Sequence, residues 1–200
     1  MAIINEAVLQ QYMTEGYGYI VNGGVGTTPI TFAGVYDANG PDLHVNVPED
    51  TTIIPYHINV VFDAVGTETT MEIIGLASST GDISVTGTGA TIKPIRIDAP
   101  SADSLCTATV AVNAAGVTDP NAGTFYEFWR FARPLTDTVA SGENDRLPLV
   151  FSWTAFKNGP PPIITGTVTT GAALVVYAAS QAGTGFITAS WVEIPTSRLR

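Results

Sequence analysis

The sequence predicts an all-β protein, built as a sandwich or a barrel. About ten short segments of alternating apolar and polar residues follow one another from residue 28 onward, at roughly even spacing. Turn-forming residues separate these segments, as in the Asp-Ala-Asn-Gly-Pro-Asp stretch at 37–42. The segments do not alternate with long helical patterns, so a parallel α/β sheet is not expected.

The clearest strand is predicted within residues 47–63, after a turn formed by Pro48, Glu49 and Asp50. Its apolar residues recur at a period of two, which is typical of a strand with one buried face. The residues expected to face the core are Ile54, Tyr56, Ile58, Val60 and Phe62. The residues expected to face outward are Pro55, His57, Asn59, Val61 and Asp63.

The N-terminal region offers one good helix. Asn5 can cap it, Glu6 lies in its first turn, and Gly16 can end it. Its narrow apolar stripe consists of Val8, Leu9, Tyr12 and Met13. This helix can pack on its own domain or dock as an arm on a neighbouring subunit, and the sequence leaves both arrangements open.

A glycine-rich stretch at 16–26 follows the helix and predicts a mobile connection. A length of 200 residues suits one domain, or one domain with an arm. We therefore expect an N-terminal arm and link over residues 1–26 and a single β-sandwich domain over residues 27–200.

One predicted strand carries apolar residues on both faces. Counting at a period of two places Phe125, Trp129 and Phe131 on one face, and Tyr126 and Phe128 on the other. A strand with two apolar faces is covered on both sides. We expect a neighbouring subunit, the N-terminal helix or long loops to cover the second face.

The charge balance excludes some classes of partner. The chain has 8 Lys and Arg residues against 18 Asp and Glu residues, for a net charge of −10. Nucleic acid is not an expected partner, because phosphate contacts need a basic surface, and an anionic membrane surface would repel the chain. Charged residues make up only 13% of the chain, which is about half the usual share. Either an assembly hides much of the surface, or the surface is simply rich in threonine.

No cofactor, metal or catalytic residue is expected. His44 and His57 are the only histidines, too few for a zinc site without carboxylates. The turn at 37–42 lacks the Gly and Glu that an EF-hand requires further along its loop. Cys106 is the only cysteine, which excludes an intrachain disulfide. No stretch approaches the roughly 20 apolar residues of a membrane span, and the start lacks the basic region of a signal peptide.

Two functions of other classes stay open. A sugar platform would require exposed tryptophans, although the strand neighbours of Trp153 and Trp191 favour burial, and Trp129 is the third candidate. A hydrolase would require two carboxylates that converge in a groove. The near pairs in sequence are Glu68 and Glu72, Asp98 and Asp103, and Glu143 and Asp145.

Two turn-plus-strand stretches carry a resemblance: Val-Pro-Glu-Asp-Thr-Thr-Ile-Ile-Pro-Tyr-His-Ile-Asn-Val-Val-Phe at 47–62 and Gly-Thr-Gly-Phe-Ile-Thr-Ala-Ser-Trp-Val-Glu-Ile-Pro at 183–195. They resemble the jelly-roll decoration or cement proteins on the outside of tailed-bacteriophage capsids. The resemblance implies an antiparallel two-sheet jelly-roll-like β-sandwich with a short N-terminal helix or arm. It also implies a homotrimer that binds the major capsid protein and stabilises the capsid, with no catalytic residues.

The expected location is therefore the capsid exterior of a virion, after synthesis in the host cytoplasm without a signal peptide. Contacts are expected from the N-terminal arm and from the strand with two apolar faces. The expected contact residues are Leu9, Tyr12, Met13, Tyr17, Tyr19, Phe128, Trp129 and Arg130. The alternative is a carbohydrate-binding β-sandwich, such as a phage receptor-binding tip or an adhesin.

Overall fold

The computed structural model describes residues 4–65, 70–81, 87–98, 103–112, 124–134, 149–168, 171–180 and 182–198. These residues form one α-helix, one π-helical turn, one 3-10 turn at Thr196–Arg198 and two antiparallel sheets. The strands are β1 (Gly18–Gly23), β2 (Ile30–Phe32), β3 (Leu43–Val47), β4 (Thr51–Val65), β5 (Thr70–Ser78), β6 (Thr88–Ala90), β7 (Ile92–Pro94), β8 (Thr107–Val110), β9 (Phe125–Pro134), β10 (Leu149–Thr154), β11 (Ile164–Thr165), β12 (Ala172–Ala178) and β13 (Gly183–Pro195).

The two sheets have the strand order of a jelly roll. One sheet runs β10-β4-β13-β1-β7, with β2 beside β13 and β11 beside β4, and the other runs β6-β8-β3-β12-β5-β9. Their principal strands form two facing sets of four, β1-β13-β4-β10 and β3-β12-β5-β9, which is the jelly-roll arrangement. The predicted all-β, antiparallel two-sheet sandwich with a short N-terminal helix is confirmed.

The main core lies between the two sheets, because alternate residues of each strand face inward. On β3 these are Leu43, Val45 and Val47, all fully buried. Burying one such side chain contributes about 1.5–3 kcal/mol relative to exposure. The largest fully buried rings of this core belong to Trp153, Trp191, Phe32, Phe62 and Phe151.

The strand predicted within 47–63 is β4, the longest strand described in the chain. Ile58, Val60 and Phe62 face the core as predicted, and Asp63 is exposed. The register between β4 and β13 shifts at Ser190/Trp191 and leaves Tyr56 as an unmatched residue. β4 therefore begins on the opposite alternation from the one that period-two counting predicts.

The prediction that Ile54 faces the sandwich core was wrong for this reason. Ile54 lies on the outer face of its sheet, where it is buried with Val192, Ile194 and Leu9 in a separate apolar cluster. The neighbouring Ile53 faces the main core instead. The N-terminal helix covers this apolar patch on the outer face of the sheet.

The α-helix α1 spans Glu6–Tyr12, and a π-helical turn continues it over Met13–Tyr17. The Asn5 side chain accepts a hydrogen bond from the Val8 amide at 3.0 Å, so the predicted cap is confirmed. Gly16 has a φ of 98°, which ends the helical conformation. No helix among the residues described is long and apolar enough to cross a membrane.

The prediction of a mobile link at 16–26 was wrong for the residues of β1. This strand lies between β13 and β7, and its Tyr19 and Val21 are buried in the core. A Cβ on Gly23 would lie 2.5 Å from Ile187 Cγ2, so a glycine is needed where the two strands pack closely. β1 is therefore a strand of the sandwich, and α1 packs on the outer face of the same sheet.

Candidate interaction surface

The strand β9 is the last strand of its sheet, and among the described residues only β5 pairs with it. It has ten residues, and most of its side chains are exposed. The exposed fractions of Phe125, Tyr126 and Phe131 are 46%, 52% and 52%. An edge strand with this much exposed apolar surface is a site where another chain can bind.

A β-bulge decides which way the side chains of β9 point. Trp129 pairs with Gly75 and Glu127 pairs with Leu76, so Phe128 is an extra residue. Phe128 and Trp129 therefore both face the interior, where the Phe128 ring lies 5.0 Å from the Trp153 ring. The prediction that these two residues lie on opposite faces was wrong, because period-two counting does not include the bulge.

Because of the bulge, Phe125 does not share a face with Trp129 and Phe131, although the three were predicted to lie on one face. Phe125 lies on the outer face, because the alternation reverses between it and Trp129. Phe131 faces inward and stacks edge-on against Phe151 at 5.7 Å. Tyr126 pairs with Ala77 of the core, so it shares the inner face. The rings of Phe125, Tyr126 and Phe131 are half exposed, so the described part of the chain leaves β9 only partly covered.

Three charged side chains form a cluster on the outer face of β9 and β5. Arg130 donates to Glu127 through both Nε and Nη2 at 2.7 Å, and through Nη1 to Glu72. The hydrogen bonds to Glu127 and Glu72 hold the pKa of Arg130 above its usual value, so it stays charged. Each partly exposed ion pair of this kind contributes about 0–1 kcal/mol to stability.

The charged cluster borders a shallow groove of about 370 Å³. Its apolar side is formed by Tyr36, Ile74, Leu76 and Phe125. Glu72 and Glu127 do converge here, which sequence spacing did not predict. Arg130 lies between the two carboxylates and forms an ion pair with each of them. Glu68, Glu143 and Asp145 of the predicted pairs lie outside the residues described.

The predicted contact residues of the N-terminal region lie on their own domain. Leu9 is fully buried in the cluster under α1, and Tyr12, Met13 and Tyr17 pack around it while partly exposed. Tyr19 lies in the main core. Leu9 and Tyr19 therefore offer no surface to a partner while the helix is docked, and the same burial applies to Trp129.

The two histidines lie on different sheets, His44 on β3 and His57 on β4, so they do not form a common site. Partial burial lowers the pKa of His57, whose Nδ1 lies 3.1 Å from Thr154 Oγ1. No group of three His, Cys, Asp or Glu residues in the described part of the chain could hold a metal ion. Burial raises the pKa of the Cys106 thiol, which opposes use of this residue as a nucleophile.

Two buried carboxylates were missed by sequence reasoning. Asp42 accepts hydrogen bonds from the amides of Ala33 at 2.8 Å and Ala178 at 2.6 Å, and burial raises its pKa to about 6. Glu193 accepts hydrogen bonds from Ser104 Oγ at 2.6 Å and the Leu105 amide at 2.8 Å. The period-two pattern of β13 places Glu193 on the same face as Trp191, so its burial could have been predicted from the sequence. Asp42 was predicted only as part of a turn. Both carboxylates fasten loops to strands.

The three tryptophans proposed as a sugar platform are buried, with Trp153 and Trp191 in the main core beside Trp129. None of them can stack on a ligand in this arrangement. Comparisons of the chain with protein-family models, with curated proteins and with solved structures find no match.

Proposed function

We propose that this protein is a non-enzymatic virion structural protein that binds the major capsid protein on the outside of a tailed-phage head and stabilises it. The observation that carries this proposal is the jelly-roll order of the two sheets. This architecture is frequent in viral capsid proteins, although it also occurs in lectins and cupins. Because one fold hosts many functions, properties of the surface are needed to choose among these classes of protein.

The surface supports a role in an assembly. Charged residues are only 13% of the chain, and three aromatic side chains of β9 stay half exposed. Interfaces are enriched in aromatic residues and arginine and depleted in lysine and acidic residues. The net charge of −10 suits an outer shell better than a lining that faces the genome. The protein works as a homo-oligomer, and the resemblance to decoration proteins implies a trimer.

Purified virions test the proposal directly. Particles made from the genome that encodes this chain should contain it, and antibodies against the purified protein should label intact heads in electron micrographs. Particles made without the gene should release their DNA at a lower temperature, and added protein should restore the original temperature. A different β-sandwich protein of similar charge serves as the control. Absence from the particles, or labelling only after they are broken open, contradicts the proposal.

The carbohydrate-binding alternative loses its strongest candidate residues with the burial of the three tryptophans. Exposed aromatic faces remain at Phe125, Tyr126 and Phe131. A glycan array separates the two functions, since a decoration protein should bind no glycan above background. Selective glycan binding that disappears in the Tyr126→Ala variant would favour the alternative.

A further inference from the structure

We propose that β9 pairs antiparallel with β9 of a second copy of this chain, about a two-fold axis between Phe128 and Trp129. In the described part of the chain, β5 pairs with one edge of β9 and no strand pairs with the other. A free edge presents backbone N–H and C=O groups to which another strand can bind. A second copy is the occupant that fits, because the charges along β9 are complementary to themselves.

The complementarity follows from the order of residues along β9. With the axis between Phe128 and Trp129, Glu127 lies opposite Arg130 of the second copy, and Arg130 lies opposite the second copy's Glu127. The aromatic residues match in the same register, with Tyr126 opposite Phe131 of the second copy. Opposite charges and aromatic pairs directly across antiparallel strands are stabilising, whereas like charges are destabilising.

The bulge at Phe128 is what makes this register consistent. In a regular strand Glu127 and Arg130 would point to opposite faces. Because Phe128 is an extra residue, both charged side chains lie on the outer face, where they already form an ion pair within one chain. Tyr126 and Phe131 both lie on the inner face. Every facing pair therefore joins residues of the same face, as a continuous sheet requires.

A shift of the axis by one residue position removes this match. If Phe128 lay opposite Phe128 of the second copy, Glu127 would face Trp129, which points to the other side of the sheet. The proposed register also covers the half-exposed rings of Tyr126 and Phe131 with their counterparts across the axis. The pairing would extend from Phe125 to Ala132 on each copy, and one sheet would continue from one subunit into the next.

Complementary charge variants test the pairing in the purified protein. The wild type should elute as a dimer by size exclusion with light scattering. Glu127→Arg places Arg opposite Arg in a homodimer, and Arg130→Glu places Glu opposite Glu, so each variant alone should dissociate at least about tenfold more readily. When the two variants are mixed, every facing pair again has opposite charges, and a heterodimer should form. Arg96→Glu, which breaks the exposed Arg96–Asp98 pair away from β9, is the matched control and should stay dimeric.

A disulfide experiment fixes the register without changing these charges. Tyr126→Cys and Phe131→Cys should each give little cross-linked dimer alone, and a mixture of the two should cross-link under oxidation. Facing residues of antiparallel strands lie within disulfide distance. Circular dichroism confirms that each variant is folded.

A monomeric wild type at about 100 µM, far above the concentrations at which specific dimers usually assemble, would overturn the proposal. A trimer, or variants whose mixture stays monomeric, would do the same. Because the isolated protein is measured, none of these results depends on capsid binding, which the particle experiments test separately. A dimer would contradict the trimer that the resemblance implies, but not binding to the capsid.

Discussion

The carboxylate of Asp42 accepts a hydrogen bond from the amide of Ala178 at 2.6 Å, although 136 residues separate them in the sequence. The other carboxylate oxygen binds the Ala33 amide, and the Asp42 amide itself donates to Val176 at 2.9 Å. One buried side chain thus fastens the loop before β3 to the end of β12. The aromatic contact between Tyr36 and Tyr177, with ring centroids 4.9 Å apart, holds the same loop over the outer face of the sheet.

The stability of the fold should depend on the protonation of Asp42. Burial raises its pKa from 3.8 to about 6, so the folded chain holds this proton more tightly than the unfolded chain does. The stabilisation that comes from the tightly held proton of Asp42 is therefore fully present below about pH 4 and is lost as the pH rises through about 6. The difference amounts to about 3 kcal/mol in the free energy of unfolding at most.

Urea denaturation at pH 4, 5, 6 and 7 measures this effect as the difference between the wild type and Asp42→Asn. The variant is less stable at every pH, because an amide cannot accept both backbone hydrogen bonds. Its stability should nevertheless fall less between pH 4 and 7 than that of the wild type. Asp63→Asn, at an exposed position of β4, should follow the wild type. Identical pH profiles for wild type and Asp42→Asn would contradict the prediction that the protonation of Asp42 changes the stability of the fold.

The packing of α1 on its own sheet predicts a large effect of Leu9→Ala. Leu9 is fully buried against Ile54, Val192 and Ile194, so its truncation should cost about 2–5 kcal/mol. Gln10→Ala, at an exposed position of the same helix, should change the free energy of unfolding by less than about 0.5 kcal/mol. The loss in Leu9→Ala should be the same at low and high protein concentration. A loss that depends on concentration would instead indicate that the helix docks on a neighbouring subunit.

Two glycines form a matched test of close backbone packing. A Cβ on Gly166 would lie 1.8 Å from the carbonyl oxygen of Pro48, where the chain crosses the start of β4. Gly166→Ala should therefore cost about 1–3 kcal/mol or more, because backbone must move. Nothing lies within 4 Å of a Cβ on Gly89, so Gly89→Ala in β6 should be nearly neutral. Thermal melting compares them, and equal melting temperatures for the two variants would contradict this packing.

Sequence patterns predicted the strands better than the faces that those strands present. Alternation identified β4 and placed Ile58, Val60 and Phe62 correctly, because burial of one face selects apolar residues at every second position. It failed at Ile54 and Phe128, because an unmatched residue reverses the alternation on each strand. That residue is Tyr56 on β4 and Phe128 itself on β9. The position of a bulge depends on the register between two paired strands, and this register cannot be deduced from a single sequence.

On the candidate interaction surface, too, the sequence predicted the strand better than the contacts of its side chains. Composition and the apolar pattern singled out β9, and Arg130 indeed lies on its exposed outer face. The pairing of Arg130 with Glu72 was not predictable, because 58 residues separate the two in the sequence. The burial of Tyr19 was also missed, since the glycines around β1 look like a flexible link when its neighbours β13 and β7 are unknown.

Cys106 should be unreactive in the folded protein. Burial is the main cause that raises its thiol pKa, and the nearby Glu193 carboxylate adds to the shift, so almost no thiolate is present at pH 8. Reaction with Ellman's reagent should be at least about 100-fold slower in the native protein than in denaturant. Asp63→Cys, which adds an exposed thiol on β4, should react at once with one equivalent. Glu193→Gln should leave Cys106 slow, because burial remains, and rapid reaction in that variant would show that the carboxylate rather than burial protects the thiol.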